Sequence, residues 1–220
     1  MRRRSPGQAP RPRAGSADAF DSADSTDAAH DVPGSASQAD ATVSVDTDEW
    51  LDIVDDNDQV VGRARRSVVH AEGHLHRSTH IVIGNSRGEV FVQLRSLAKS
   101  NSPGLWDSSA AGHVDSGESY RDCASREIGE ELGIAIAAEE LQLCGRLDPV
   151  ERNGLEFTDV YVGFSDESMT LRVGEVDDGR WLTPDEVDTW LAECPEDFTR
   201  TFPLVWAMVR EAFRGSSTTG

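Results

Sequence analysis

Residues 112–134 read GHVDSGESYRDCASREIGEELGI, and the reading of the whole chain turns on them. A glycine loop leads into a helix expected over 118–132, which Gly133 stops in a left-handed conformation with Ile134 as its hydrophobic anchor. On that helix Glu127, Glu130 and Glu131 stand at i, i+3 and i+4, so three carboxylates share one face within a turn. Like charges at these spacings destabilise a helix unless a cation compensates them. Clustered carboxylate oxygens are what hard divalent ions prefer, and Mg²⁺ completes its shell with water and phosphate oxygens. Arg126 can orient one carboxylate through a forked hydrogen bond. Gly129 is out of place in a helix interior, where it costs about 1 kcal/mol against Ala. Close packing is the expected reason for it.

Outward from this stretch the pattern is one of short strands. Trp50–Val54 alternates as a strand, 55–58 supplies turn chemistry, and 59–62 is its hairpin partner. Residues 78–84 and 89–95 form a second hairpin, whose later strand carries apolar groups on both faces. A short strand over 105–111 enters the glycine loop, and further strands are expected at 140–149, 155–164 and 179–182. Thr183, Pro184 and Glu186 make a capping box with proline at the first helical position, opening a helix to about Cys194. A last amphipathic helix runs from about Thr201 to Arg214, with Leu204, Val205, Met208, Val209 and Phe213 on one side. Strands interrupted by one central helix and closed by C-terminal helices describe an α+β fold, an αβα sandwich with a mixed central sheet.

Residues 1–46 are rich in Ala, Ser, Asp, Gly and Pro and are expected to be a disordered tail, with 47–215 as the folded domain and 216–220 as a second short tail. Met1-Arg2-Arg3-Arg4 is followed by no apolar segment, so export is not expected. Cys123, Cys144 and Cys194 are odd in number and scattered, which suits a reducing cytoplasm rather than a disulfide framework. The 220 residues carry 40 acids against 21 bases, a formal net charge of −19. Such a surface repels nucleic-acid backbones and anionic membranes, so neither is expected as a partner. A phosphate-bearing substrate must then be drawn in by metal ions and local arginines.

An acidic solvent face would explain three glutamates alone, but not the whole spacing. That spacing resembles the Nudix box, Gly-x5-Glu-x7-Arg-Glu-U-x-Glu-Glu-x-Gly-U with U aliphatic, at all nine specified positions. At average residue usage such a match begins at a given position roughly once in a billion. The resemblance implies a Nudix hydrolase, which binds Mg²⁺ or Mn²⁺ and directs water at one phosphorus of a nucleoside-diphosphate-type small molecule. Carried over by position, Glu127, Glu130 and Glu131 are metal ligands with the Gly112 carbonyl near the metal. Glu130 or Glu131 is the base, and Arg126 is grouped with them as catalytic. Glu118 and Gly133 support the loop and helix, and Arg126 shares in that support.

The chain from about 49 to 195 is also similar to the isopentenyl-diphosphate-isomerase-like branch of the same superfamily. The residues that carry this are His70 and His76 before a strand, Pro103 to Trp106, Ala111-Gly112-His113, and Glu175-Val176 followed by Trp181. The resemblance implies an additional divalent metal at His70, His76 and His113, where imidazole suits Zn²⁺ or Mn²⁺. The isomerases place a catalytic cysteine where this chain has Ala111, and a methyl group exchanges no protons. Their later Glu-x-Glu corresponds at best to Phe157-Thr158-Asp159. Their box is degraded, whereas this one is intact. These departures favour hydrolase over isomerase, and the intact carboxylates disfavour a third reading as a ligand sensor. Cys123 is read as a packing residue, and Trp106, Phe157 and Tyr161 as core residues that could also stack on a base. Dimers are common on this fold, so a homodimer is compatible with it.

Overall fold

The computed structural model describes residues 49–214, so the tails expected at 1–46 and 216–220 lie outside the described residues. A small antiparallel sheet pairs β1 (Trp50–Val54) with β2 (Val60–Arg65). Their turn is held by Asp55, whose Oδ1 accepts the backbone N–H groups of Asn57 and Gln59, both at 2.9 Å. The chain then forms α1 (Arg66–Glu72), a short helix that the sequence pattern did not announce because Val69 is its one buried residue.

The main sheet has seven strands: β3 (His76–Gly84), β4 (Val90–Arg95), β5 (Trp106–Asp107), β6 (Ala110–His113), β7 (Gln142–Leu147), β8 (Glu156–Phe164) and β9 (Val176–Leu182). β3 and β8 lie parallel at its centre and the other pairings are antiparallel, so the sheet is mixed. Strands covered on both faces read as continuous apolar runs. In β3, Ile81 and Ile83 enter one core cluster while Val82 enters the other. The first cluster also takes Ala124 of α2 (Tyr120–Glu127) and Ile128 and Leu132 just after it. The second takes Val187 of α3 (Pro184–Glu193) and Phe202, Val205, Trp206, Val209 and Phe213 of α4 (Phe202–Arg214), which recur at helical spacing. The chain therefore has the expected α+β architecture, helices over both faces of a mixed sheet.

The strand expected over 105–111 is broken at Ser108 and Ser109. Both are fully buried, with Ser109 Oγ donating to the Phe91 carbonyl and accepting the Ile83 N–H. That polar interruption lets the chain change partner from β4 to β3. The β1–β2 hairpin pins the loop that follows. Ser116 N–H donates to the Trp50 carbonyl at 2.8 Å, and Asp52 accepts Ser116 Oγ and Gly117 N–H at 2.6 and 3.1 Å.

Candidate active site

The glycine loop and α2 are joined by one guanidinium. Arg126 Nε and Nη2 donate to Oε1 and Oε2 of Glu118, each at 3.0 Å, while Nη2 also reaches the His113 carbonyl at 3.1 Å and Nη1 reaches Glu127 Oε1 at 2.6 Å. Glu118 in turn accepts the Asp115 N–H at 3.1 Å. Fork-to-fork contacts of this kind fix geometry as well as adding energy. Arg126 is thereby directed at protein acceptors, contacts that hold the loop and the helix together. At the start of α2, Ser119 Oγ accepts the Asp122 N–H at 3.1 Å, a cap worth about 1 kcal/mol.

The helix expected to reach 132 ends at Glu127, and Ile128–Leu132 forms a π turn closed by Gly133 at φ 68. Such wide turns concentrate at functional sites. Gly129 lies within it, and a Cβ there would meet nothing nearer than the Ile134 carbonyl at 3.8 Å. The close packing expected at Gly129 is absent, so the glycine belongs with the irregular turn. Gly112 is different: a Cβ there would fall 2.0 Å from Oε1 of Glu127.

The three glutamates do not share one environment. Glu131 is 3% exposed, and its Oε2 accepts the Ala111 N–H and the Gln93 Nε2, both at 3.1 Å. Glu127 is partly enclosed, its side chain 12% exposed and packed against Gly112. Glu130 stands at the open side with its side chain 44% exposed, held by Arg172 Nη1 at 3.1 Å. Burial pushes the Glu127 carboxyl up to about 8, with the charge of Glu131 adding to the rise against the pull of Arg126. Burial likewise pushes Glu131 up to about 7, against Lys99, the Ala111 N–H and Arg95. Two enclosed carboxylates side by side, their pKa values raised despite Arg126, Lys99 and Arg95, form an oxygen-donor set of the kind a hard divalent cation completes. The residues fit such an ion.

A second constellation lies across β6. His70 of α1, His76 of β3 and His113 of β6 bring their ring nitrogens within 4.8 Å of one another. His70 Nε2 and His113 Nε2 are 3.2 Å apart. His76 Nδ1 donates to the His74 carbonyl at 2.9 Å, which orients the ring with Nε2 toward the cluster. That Nε2 is buried with no hydrogen-bond partner, 3.5 Å from Glu156 Oε1; His113 Nε2 is 3.6 Å from the same oxygen. Burial, with the neighbouring His113 and His76, pushes His70 down to about 4, and burial also lowers His113. An orphaned nitrogen among neutral imidazoles with one carboxylate suits a cation.

The carboxylate here is Glu156, at the first position of β8, and not a residue of the 157–159 segment expected to match the isomerase acids. Counted from Glu156, the second acid of Glu-x-Glu is Thr158, whose Oγ1 pairs with Ser78 Oγ at 2.8 Å. Asp159 faces away, bound to Arg146 Nε at 2.5 Å. Sequence reasoning also missed Gln93, although an amide inside the apolar run of β4 was a signal, and it missed His80. The His80 Nδ1 lies 2.6 Å from Ser108 Oγ, and its ring borders the same cleft as Glu127, Glu130, Glu131, His113 and Glu156. Trp106, Phe157 and Tyr161, which could have stacked on a base, are core residues at 8%, 7% and 3% exposure. Cys123 is buried among Thr79, Arg126 and the His113 carbonyl, its thiol pushed up by burial, as a packing residue should be.

Residues 74–202 match the NUDIX domain family model. An uncharacterized Nudix hydrolase of Yersinia pestis is 36% identical over 71% of this chain and 85% of its own length. An isopentenyl-diphosphate Delta-isomerase of Pectobacterium atrosepticum is 32% identical over 71% of this chain and 89% of its own. Among solved structures, DR0079 from Deinococcus radiodurans superposes with a TM-score of 0.61 at 28% identity, covering 73% of this chain and 99% of that one.

Proposed function

Since the chain belongs to the Nudix family of pyrophosphohydrolases, we propose that its cleft cleaves a diphosphate linkage by water attack at phosphorus, with Glu127, Glu131 and the Gly112 carbonyl holding a divalent cation such as Mg²⁺ or Mn²⁺. The cation supplies Lewis-acid charge that neutralises phosphoryl oxygens and makes water more acidic. Glu130 is the carboxylate that solvent reaches, and it accepts the proton of the attacking water while Arg172 holds it in place. A P–O bond forms to the water oxygen, and the bond to the bridging oxygen breaks with its electron pair leaving on the departing phosphate. Arg126 and Glu118 keep the loop and helix in register throughout.

His70, His76 and His113, with Glu156 beside them, would hold an additional divalent ion. Isomerisation of isopentenyl diphosphate is not what the site supports, because Ala111 and Thr158 stand where that chemistry needs a thiol and a second acid. The carrying observation is the pair of enclosed carboxylates Glu127 and Glu131 at the wall of one cleft, with the Ala111 N–H and Gln93 fixing the second. Phosphorus NMR of diphosphate compounds incubated with Mg²⁺ or Mn²⁺ tests it. Cleavage in the wild type and its loss in both Glu127→Gln and Glu131→Gln is expected; unchanged cleavage in both variants would refute the roles given.

A further inference from the structure

The cleft encloses about 660 Å³, enough for a small organic diphosphate. Its lining has an unusual composition. Among the described residues no Phe, Tyr, Trp, Met, Val or Ile borders it, and Leu105 and Ala111 are its apolar side chains apart from glycines. A nucleobase is ordinarily held by stacking on an aromatic face, and a prenyl chain by apolar burial at about 0.8 kcal/mol per CH₂. This cleft offers no Phe, Tyr or Trp face and no apolar wall; its rings are those of His80, which is tied to Ser108, and His113, which belongs to the histidine cluster.

It offers cations instead. Arg66, Arg95, Lys99, Arg152, Arg172 and Arg200 all line it, from separate parts of the chain. Arg95 reaches the Asn101 carbonyl at 3.0 Å, Lys99 is paired with Glu175, and Arg172 with Glu130. Arg152 and Arg200 are exposed and take part in no ion pair among the described residues. Neither sits on a loose loop. Arg152 precedes Asn153, a 4% exposed residue whose Oδ1 accepts the Val150 N–H and whose Nδ2 donates to the Asp148 and Glu156 carbonyls. Arg200 follows Thr199, 5% exposed, whose N–H donates to the Trp106 carbonyl and whose Oγ1 accepts the Phe202 N–H. Each guanidinium is therefore carried on a backbone already fixed, which lowers the entropy lost when it binds an anion. Asn101, Ser102 and Thr201 add uncharged hydrogen-bonding groups to the same lining.

Resting on the diphosphatase reading above, we propose that the compound cleaved carries, beyond its diphosphate, at least one further phosphate on a hydroxyl-rich, non-aromatic head group, and that Arg152 and Arg200 bind that phosphate. In a chain of net charge −19 such a substrate needs cations placed for it.

The test uses the full chain with Mg²⁺ or Mn²⁺ and four probes: 5-phosphoribosyl 1-diphosphate, ADP-ribose, UDP-glucose and dimethylallyl diphosphate. The phosphorylated sugar should be cleaved with a kcat/KM at least about tenfold above the other three. Arg152→Gln and Arg200→Gln should each raise its KM by about tenfold, the loss of one charge-assisted contact, with unchanged melting temperatures. A higher kcat/KM for either nucleotide or for the prenyl compound, or an unchanged KM in both variants, overturns the inference and leaves the hydrolase reading standing. Cleavage of none of the four compounds would instead overturn the hydrolase reading and the inference with it.

Discussion

The carboxylate of Glu127 occupies the space that a side chain on Gly112 would need, with Oε1 placed 2.0 Å from where a Cβ would be built. Gly112 sits on β6 and Glu127 at the end of α2, so strand and helix approach this closely because position 112 is bare. Gly112→Ala must push Glu127 aside and lower divalent-ion affinity and kcat together, by about 100-fold if Glu127 is a ligand. Isothermal titration with Mn²⁺ and steady-state hydrolysis would check this. Equal affinity in the variant would show that Glu127 does not hold the ion.

Glu131→Gln keeps the shape of a side chain that is 3% exposed while removing its charge. Activity should fall at least about 100-fold, since a ligand is lost. The cation-free variant should nonetheless melt above the cation-free wild type at pH 8, because it no longer carries a buried, ionised carboxylate there. Loss of activity accompanied by a lower melting temperature would argue for a purely structural role.

The pH dependence follows from the same pair. Glu127 and Glu131 have folded-state pKa values raised from the ordinary 4.5 to about 8 and about 7. At pH 6 the unfolded chain has released protons that the folded chain still holds, so this contribution to stability is intact below about pH 4.5 and is lost as pH rises toward 8. In EDTA the melting temperature should fall across that window, and the fall should be smaller in Glu131→Gln. Saturating Mn²⁺ favours the ionised carboxylates and should remove or reverse the slope. A flat EDTA profile in the wild type would contradict the raised values.

Arg126 grips both oxygens of Glu118 through two nitrogens, a geometry lysine cannot copy. Arg126→Lys should therefore cost about 2 kcal/mol of stability, readable by urea denaturation, and should lower kcat without placing any new group in the cleft. A lysine variant with wild-type stability would mean that the fork matters little.

His76→Gln removes the one nitrogen that is buried and unpartnered among the described histidines. Metal analysis after dialysis should then show one divalent ion fewer per chain than in the wild type. Unchanged metal content would rule out an ion at His70, His76 and His113.

What the sequence made legible was local. The capping box at Thr183 and the β1–β2 turn depend on neighbours a few residues away, and both stand as read, whereas the three glutamates expected on one helical face are divided by the π turn. Glu118 and Arg126, eight residues apart, were found because the spacing itself is specific. Distant pairings were harder. The α1 helix buries one side chain and shows no apolar stripe, so His70 was identified without the element that carries it. The acid beside the histidines was placed one residue late, because the parallel register of β3 with β8, which sets His76 opposite Glu156, leaves no trace in either segment alone. Hydrophobic spacing over 118–132 could not distinguish an α-helix from one that widens at Ile128, since both bury Ile128 and Leu132.

That widening sets a length constraint on the gene. The extra residue in the turn between Ile128 and Leu132 turns Glu131 inward to meet the Ala111 amide while Glu130 remains at the solvent side. Deleting one residue there would let the backbone relax into ordinary 3.6-residue winding, leaving the chain beyond Leu132 nearly in place but re-aiming the side chains within the turn. Substitutions along these five positions can be absorbed one at a time. A change in their number would cost the protein its enclosed carboxylate pair in a single step.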